Sequence, residues 1–187
     1  MNNAATSKEA ILKVSRKTIR EQGREAVNIR NIALECGVSA GTIYNYFQSK
    51  SELLAATTES IWQHIFHVDG SCRQEVFADV TNCVLWVFER LRYGAREYPG
   101  FYSTHSMSLS PEEKQAAALR MHKTWTHILA GLELSIRQDP HVREGAFDES
   151  FTEKDFAEIL FALILASLIT KKYEATPVLE LIKRTLY

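Results

Sequence analysis

The chain has 187 residues, of which 45% are apolar and 24% are charged, and its formal net charge is −1. This length suffices for one domain or two small ones with a buried core, and the composition is ordinary for a globular protein. The first residues lack a basic segment followed by an apolar run. The longest nearly unbroken apolar run, residues 159–169, is shorter than the ~20 residues that span a bilayer. We therefore expect a cytoplasmic protein without a membrane segment.

The spacing of cysteines and histidines gives little support for disulfide bonds or a metal site. Cys36, Cys72 and Cys83 form no CxxC pair, and their irregular spacing predicts reduced thiols and not a disulfide framework or a zinc finger. His64 and His67 lie three residues apart with further candidate ligands nearby, but histidines at a helix end are common without a metal. We predict no metal and no cofactor.

Charge is distributed unevenly along the chain. Residues 1–65 contain eight Lys/Arg and six Asp/Glu, whereas the remainder contains 14 and 17. Four basic residues cluster in the first helix and just after it: Arg16, Lys17, Arg20 and Arg24. A basic end suits contacts with phosphates, although most charge clusters are simply solvated faces.

Apolar residues recur at three- and four-residue spacing almost throughout, which predicts an all-α fold of about nine helices. The first helix is predicted to begin at a capping box of Thr6 and Glu9 and to end near Gly23. Asn28 is placed to cap the second helix, and Gly37 to end it and allow a sharp turn.

The third helix is predicted to begin at Ser39 and to place Phe47 in the core, and a capping box of Ser49 and Glu52 predicts a long fourth helix. Cap and breaker residues then predict four further helices, at about 75–97, 111–138, 152–173 and 176–187, with a short aromatic segment between the first two.

Residues 28–53 are the most informative part of the sequence. They predict two short helices joined by a tight turn, and the second short helix carries small and hydrogen-bonding residues where a buried helix would carry bulky ones. A helix that enters a DNA groove needs such a face. The alternative is a short solvated surface helix. Gly41 argues against it, since glycine in a helix interior costs about 1 kcal/mol relative to alanine.

These residues resemble the TetR family of bacterial transcriptional regulators. The likeness covers about residues 6–55 in one ungapped register and rests on Ile32-Ala33, Gly37-Val38-Ser39, Gly41-Thr42-Ile43-Tyr44, Tyr46-Phe47, Ser49-Lys50 and Glu52-Leu53. The resemblance implies an N-terminal three-helix helix-turn-helix domain at 1–48. It further implies a larger helical ligand-binding and dimerisation domain at 49–187.

The resemblance also implies which residues contact double-stranded DNA: Arg30, Ser39, Ala40, Gly41, Thr42, Tyr44, Asn45, Tyr46 and Lys50. Because Ala40 and Gly41 carry no side-chain donor, base reading falls on Arg30, Thr42 and Asn45. Tyr46 and Lys50 are then expected to hold phosphates. The ring of Tyr44 has the alternative of packing inward.

Residues 156–169 are apolar almost all round, so we expect this helix to be covered twice, by the chain's own core and by a second copy. The predicted dimer interface consists of Phe156, Leu160, Leu163, Ser167, Val178 and Ile182. The alternative is a buried central helix of a monomer. A two-fold dimer implies a roughly palindromic operator.

A ligand pocket is predicted among residues 75–98, 101–108 and 111–138, which are rich in aromatics with polar groups. The candidates are Asn82, Trp86, Tyr93, Phe101, Tyr102, His105, Met121, His122 and Trp125. The alternative is that most of these side chains are core. We expect a small apolar or aromatic ligand.

The sequence thus predicts a homodimeric regulator, most simply a repressor that a small-molecule effector releases from DNA. The competing hypothesis is a helical protein–protein interaction module that has lost DNA binding. An enzyme is not predicted, because the sequence contains no GxSxG, P-loop, GxGxxG or HExxH motif.

Overall fold

The computed structural model describes residues 6–66, 77–102 and 111–187, with no side chains described between 111 and 124. Within these ranges the chain is all-α, as predicted, and contains no β-strand. Its helices are α1 Lys8–Gln22, a 3-10 turn Arg24–Ala26, α2 Ile29–Glu35, α3 Ala40–Tyr44, α4 Lys50–Phe66, α5 Val80–Glu97, α6 Pro111–Gln138, α7 Glu153–Thr170 and α8 Thr176–Leu186.

The chain forms two compact units. The first contains residues up to 64 together with 95–121, and the second contains residues 65–94 and 122–187. Each unit has wholly buried apolar side chains of its own, such as Ile43 and Phe47 in the first and Leu132 and Leu160 in the second. The domain boundary between residues 48 and 49 stays a prediction.

Two helix starts in the first unit differ in detail from the prediction. The N-cap of α1 is Ser7 and not Thr6, because Ser7 is extended and its hydroxyl accepts the amide of Ala10. At α4 the hydroxyl of Ser49 accepts the amide of Glu52 at 3.0 Å, as predicted. The carboxylate of Glu52, however, accepts the amide of Gln48, one residue before the expected partner.

Helix α5 begins at Val80, five residues later than predicted, because Asp79 caps it by accepting the amide of Asn82 at 2.7 Å. A second carboxylate also reaches this helix start. Asp139, from the loop after α6, accepts the amide of Val80 at 3.0 Å and the hydroxyl of Tyr187 at 2.6 Å.

Asp139 is buried, and its other oxygen accepts the amide of His141 at 2.9 Å. Burial by itself would raise the pKa of this carboxyl, but the hydrogen bonds from Tyr187, Val80 and His141 outweigh it and hold the pKa below its usual value. One charged group therefore ties the start of α5, the loop after α6 and the last residue of the second unit together.

Helix α7 begins near residue 152, as predicted, with a capping box in which Thr152 and Asp155 bond reciprocally. It ends at Lys171, which has a left-handed backbone conformation with φ 57°. Helix α8 begins at Thr176, as predicted.

None of the helices within the described ranges is long and apolar enough to cross a membrane. Among the residues that the structure describes, no three His, Cys, Asp or Glu side chains lie close enough to hold a metal ion. Cys36 and Cys83 form no disulfide with any residue that the structure describes. His67 and Cys72 lie outside the described residues.

Candidate functional site

The turn between α2 and α3 is built from local hydrogen bonds. Asn28 caps α2 by accepting the amide of Asn31 at 2.9 Å. At the other end the amide of Gly37 bonds to the carbonyl of Leu34, and the amide of Val38 bonds to the carbonyl of Ala33. This double closure requires a left-handed residue, and Gly37 supplies it with φ 66°.

Helix α3 follows at once, because the hydroxyl of Ser39 caps it by accepting the amide of Thr42 at 3.2 Å. Helices α2 and α3 pack against each other, and Ile32 and Ile43 are wholly buried. The opposite face of α3 is turned to solvent. Its exposed or half-exposed residues are Ser39, Ala40, Gly41, Thr42, Tyr44, Asn45 and Tyr46.

The chain's own packing does not require the glycine at position 41. A Cβ built there meets only the hydroxyl oxygen of Ser39, at 3.6 Å, which is ordinary van der Waals contact. The reason for glycine therefore lies outside the described protein neighbours. A close approach of the α3 backbone to another molecule would supply one.

Three predicted DNA contacts are available for binding. Arg30, Asn45 and Lys50 are exposed, and their side chains make no hydrogen bond or ion pair within the described part of the chain. Lys50 is the first residue of α4, where the helix dipole adds to its positive charge. These side chains can donate to phosphates or base edges without breaking an existing contact.

Three hydroxyl groups of the site, those of Ser39, Thr42 and Tyr46, have intramolecular partners. The hydroxyl of Thr42 lies 3.0 Å from that of Ser39, and the hydroxyl of Tyr46 donates to the carbonyl of Thr6 at 2.6 Å. Tyr44 is 52% exposed, so its ring does not pack inward in this structure. The hydroxyl of Tyr46 must therefore give up its bond to Thr6 before it can donate to a phosphate.

Part of the basic cluster on α1 is engaged within the first unit. Arg16 bonds to Ser60 on α4 and pairs with Glu9, while Arg20 pairs with Glu97 at the end of α5 at 2.9 Å. These arginines join helices and are not free for phosphates, a role that their sequence neighbours did not reveal.

Leu34 is a surface residue that sequence reasoning passed over. It is 80% exposed and lies on α2, four residues after Arg30 and so on the same face. The four-residue spacing from Arg30 to Leu34 is the sequence pattern that could have identified this residue. A single exposed leucine is common, but this one borders the face that carries the candidate contacts.

Several of the aromatic residues predicted for a ligand pocket have ring partners within their own unit. In the first unit the rings of Phe101 and Tyr102 lie 5.3 and 5.5 Å from that of Trp62. Nearby, the hydroxyl of the buried Tyr98 lies 3.1 Å from Nδ1 of His64. His105 lies outside the described residues.

In the second unit Trp86 packs against Phe66 and Phe77, with ring centroids 5.8 and 5.5 Å apart. Tyr93 lies under the guanidinium of Arg90, which is 4.8 Å from its ring centroid. Sequence reasoning missed Arg90, although it is four residues after Trp86 and three before Tyr93.

Two further candidates have local partners. Asn82 is exposed, and its side-chain amide donates to Asp79 at 2.8 Å, so it helps to form the cap of α5. The ring of Trp125 packs edge-on against Phe161, 5.2 Å away. The side chains of Met121 and His122 lie outside the described residues.

The predicted dimer residues lie mostly on the inner faces of α7 and α8. Leu163 is half-buried within the single chain. The other five are already buried there: Phe156, Leu160, Ser167, Val178 and Ile182. A side chain buried in its own core has little surface for a second copy. The apolar residues that α7 leaves exposed are on its other face: Ile159, Ala162, Ala166 and Ile169.

Comparison with known proteins finds similarity in the N-terminal helices. The sequence model described as "Bacterial regulatory proteins, tetR family" matches residues 11–57. The uncharacterized HTH-type transcriptional regulator YerO of Bacillus subtilis is 42% identical over 52 residues, which are 28% of this chain and only 18% of that protein.

Two solved structures share the fold over nearly the whole chain. The transcriptional regulator FadR from Bacillus subtilis, in complex with stearoyl-CoA, superposes with a TM-score of 0.65 at 21% identity, covering 97% of this chain and 100% of that one. A TetR transcriptional regulator from Legionella pneumophila superposes with a TM-score of 0.61 at 18% identity, covering 100% of both chains.

Proposed function

We propose that this chain, whose residues 11–57 match the sequence model of the tetR family of bacterial regulatory proteins, belongs to that family, binds operator DNA and regulates transcription in the cytoplasm. The observation that carries the proposal is the exposed face of α3 beside Arg30, Asn45 and Lys50, whose side-chain donors have no partner among the described residues. The role is regulatory and not enzymatic.

In this proposal α3 lies in the major groove, with its backbone close to the bases at Ala40 and Gly41. Arg30 and Asn45 read base edges, because each presents donors that no group in the described part of the protein occupies. Lys50 holds a phosphate as a point charge at the start of α4. Thr42 and Tyr46 contribute only if their present hydrogen bonds to Ser39 and Thr6 are exchanged.

We further propose a homodimer formed through the outer face of α7. Ile159 and Ile169 are 44% and 73% exposed in the single chain, and the alanines between them, Ala162 and Ala166, permit close approach of a second helix. Leu181 on α8, 38% exposed, extends the apolar surface. A two-fold pair of α3 helices requires an approximately palindromic operator.

The regulatory step we propose is release from DNA by a small apolar or aromatic effector, which makes the protein a repressor. The bond of Arg20 to Glu97 supports a route, since it joins α1 to the end of α5, the helix that carries Trp86 and Tyr93. A displaced α5 would pull on α1. The complex of FadR with stearoyl-CoA supports a small-molecule effector for this fold.

The decisive experiment selects binding sites from a randomised duplex library and measures affinity between 50 and 200 mM salt. We expect an inverted repeat whose half-sites lie one helical turn or a multiple of it apart, and binding that falls steeply with salt. Lys50→Ala should weaken binding to every selected sequence and reduce the salt slope by about one per protomer. Lys172→Ala, which removes an exposed lysine of the second unit, is the control.

Selection of no sequence, with no salt-sensitive binding to any duplex, would contradict the regulator proposal and favour the protein–protein interaction module. An unchanged salt slope in the Lys50 variant would contradict only the role given to Lys50.

A further inference from the structure

Arg90 on α5 has an unsatisfied donor. Its Nε atom is shut off from solvent and has no hydrogen-bond acceptor, and none of its guanidinium nitrogens makes an ion pair in the described part of the chain. The guanidinium lies over the ring face of Tyr93, with its carbon 4.8 Å from the ring centroid. A guanidinium carries five N–H donors. Burying any one of these donors without an acceptor lowers the stability of the folded protein.

The position of Arg90 on α5 separates it from the core. One face of this helix is buried in the second unit: Val80, Cys83, Val84, Val87, Phe88, Leu91 and Gly94. Another face is exposed: Leu85, Glu89, Arg92 and Arg96. Trp86, Arg90 and Tyr93 form a third, half-buried strip at helical spacing.

The strip pairs apolar ring surface with one positive charge. Trp86, one turn before Arg90, contacts Phe66 and Phe77. Tyr93 is stacked below the guanidinium, which leaves the edge of the fork, where the N–H groups point, for another partner. A fixed guanidinium edge matches the two oxygens of a carboxylate, phosphate or sulfonate.

We propose that Arg90, Tyr93 and Trp86 form a binding subsite for an effector that joins an anionic group to an apolar body. The anion bonds to the terminal N–H groups of the Arg90 guanidinium, and the apolar body lies on the aromatic rings of the strip. The inference rests on the proposed function in that the occupant is the effector of the regulator. The inference narrows the chemical class of the effector from any apolar molecule to an anionic amphiphile.

Two matched dyes test the anionic requirement directly. 8-Anilinonaphthalene-1-sulfonate and N-phenyl-1-naphthylamine share one ring system and differ by the sulfonate, and the fluorescence of both rises on transfer to an apolar site. Titrated into the full chain, the sulfonate should bind at least tenfold more tightly than the neutral dye. Arg90→Gln should lower its affinity tenfold or more and change that of the neutral dye less than twofold.

Arg92→Gln is the matched control, because Arg92 lies on the exposed face of the same helix. Arg90→Lys keeps the charge without the guanidinium fork, and should retain part of the preference. Helicity by circular dichroism and retained affinity for the selected DNA check that each variant is folded.

Absence of a preference for the sulfonate in the wild type, whether both dyes bind or neither does, overturns the proposal. So does an unchanged preference in both Arg90 variants. These outcomes are separate from failure of the proposed function, which is loss of DNA binding in the wild type. Displacement of the bound sulfonate by dodecanoate, by dodecanoyl-CoA or by both then distinguishes a carboxylate from a phosphate as the natural anion.

Discussion

Replacing Gly41 by alanine separates a structural from a functional reason for this glycine. The added methyl would meet only the hydroxyl oxygen of Ser39 at 3.6 Å, so the free protein has room for it. Alanine is favoured over glycine in a helix interior by about 1 kcal/mol. Gly41 is the second residue of a five-residue helix, so we expect the free energy of unfolding to stay constant or to rise by up to about 1 kcal/mol.

The same Gly41→Ala change should weaken DNA binding, although it leaves the free energy of unfolding unchanged or raises it. If the α3 backbone lies against base edges, the methyl enters a packed interface, and an extra methyl in packed surroundings costs about 1–3 kcal/mol. That corresponds to roughly 5- to 150-fold weaker binding for each recognition helix. Stability would thus be preserved while affinity falls.

The assay is urea denaturation for stability and fluorescence anisotropy with the selected operator for affinity. Gly131→Ala is the matched control: this glycine lies inside α6, no atom lies within 4 Å of an added Cβ, and it is remote in sequence from α3. It should gain stability without loss of affinity. Wild-type affinity in the Gly41 variant would refute close approach, and a loss of stability above 1 kcal/mol would refute the packing argument.

Two further predictions concern the second unit. Asp139→Asn leaves at least one buried N–H without an acceptor and should lower the free energy of unfolding by about 1–3 kcal/mol at pH 7, with Glu144→Gln, an exposed loop change, as control. Because the folded-state pKa of Asp139 is lowered, its contribution is complete above the unfolded pKa of about 3.9 and is lost as the pH falls through the folded value. The difference between wild type and variant, measured by denaturation from pH 7 to pH 3, should therefore shrink in acid; a constant difference would contradict the charge argument. For the dimer, wild type should sediment at twice 21.3 kDa and Ile159→Glu as a folded monomer, whereas Leu134→Glu, at a similarly exposed leucine of α6, should remain dimeric. A monomeric wild type, or a dimeric Ile159 variant, would exclude the outer face of α7 as the interface.

Features set by neighbours within four residues could be predicted from the sequence. Asn28, Ser39 and Thr152 cap their helices as expected, and Gly37 makes the turn, because caps and turns act through the nearest backbone amides. The error at α1 is of the same local kind, since Thr6 and Ser7 are adjacent and both can cap. The late start of α5 has a local cause too, the cap at Asp79.

Contacts between segments that are far apart in the sequence could not be predicted from the neighbouring residues. Nothing around Asp139 indicates that it caps a helix 59 residues earlier, and nothing around Arg20 indicates a bond to Glu97. Arg90 was overlooked because a lone arginine at a half-buried position looks like a surface charge until its surroundings are known.

Helix α7 illustrates both what the sequence predicts and what only the tertiary structure decides. Its composition alone, apolar on all faces, predicts that two surfaces cover it. Only the tertiary structure decided that Phe156, Leu160 and Ser167 face the chain's own core and that Ile159 and Ile169 face outward. The hydrophobic effect depends on how much apolar surface is removed from water and not on which neighbour removes it, so the face is chosen by the packing of the other helices.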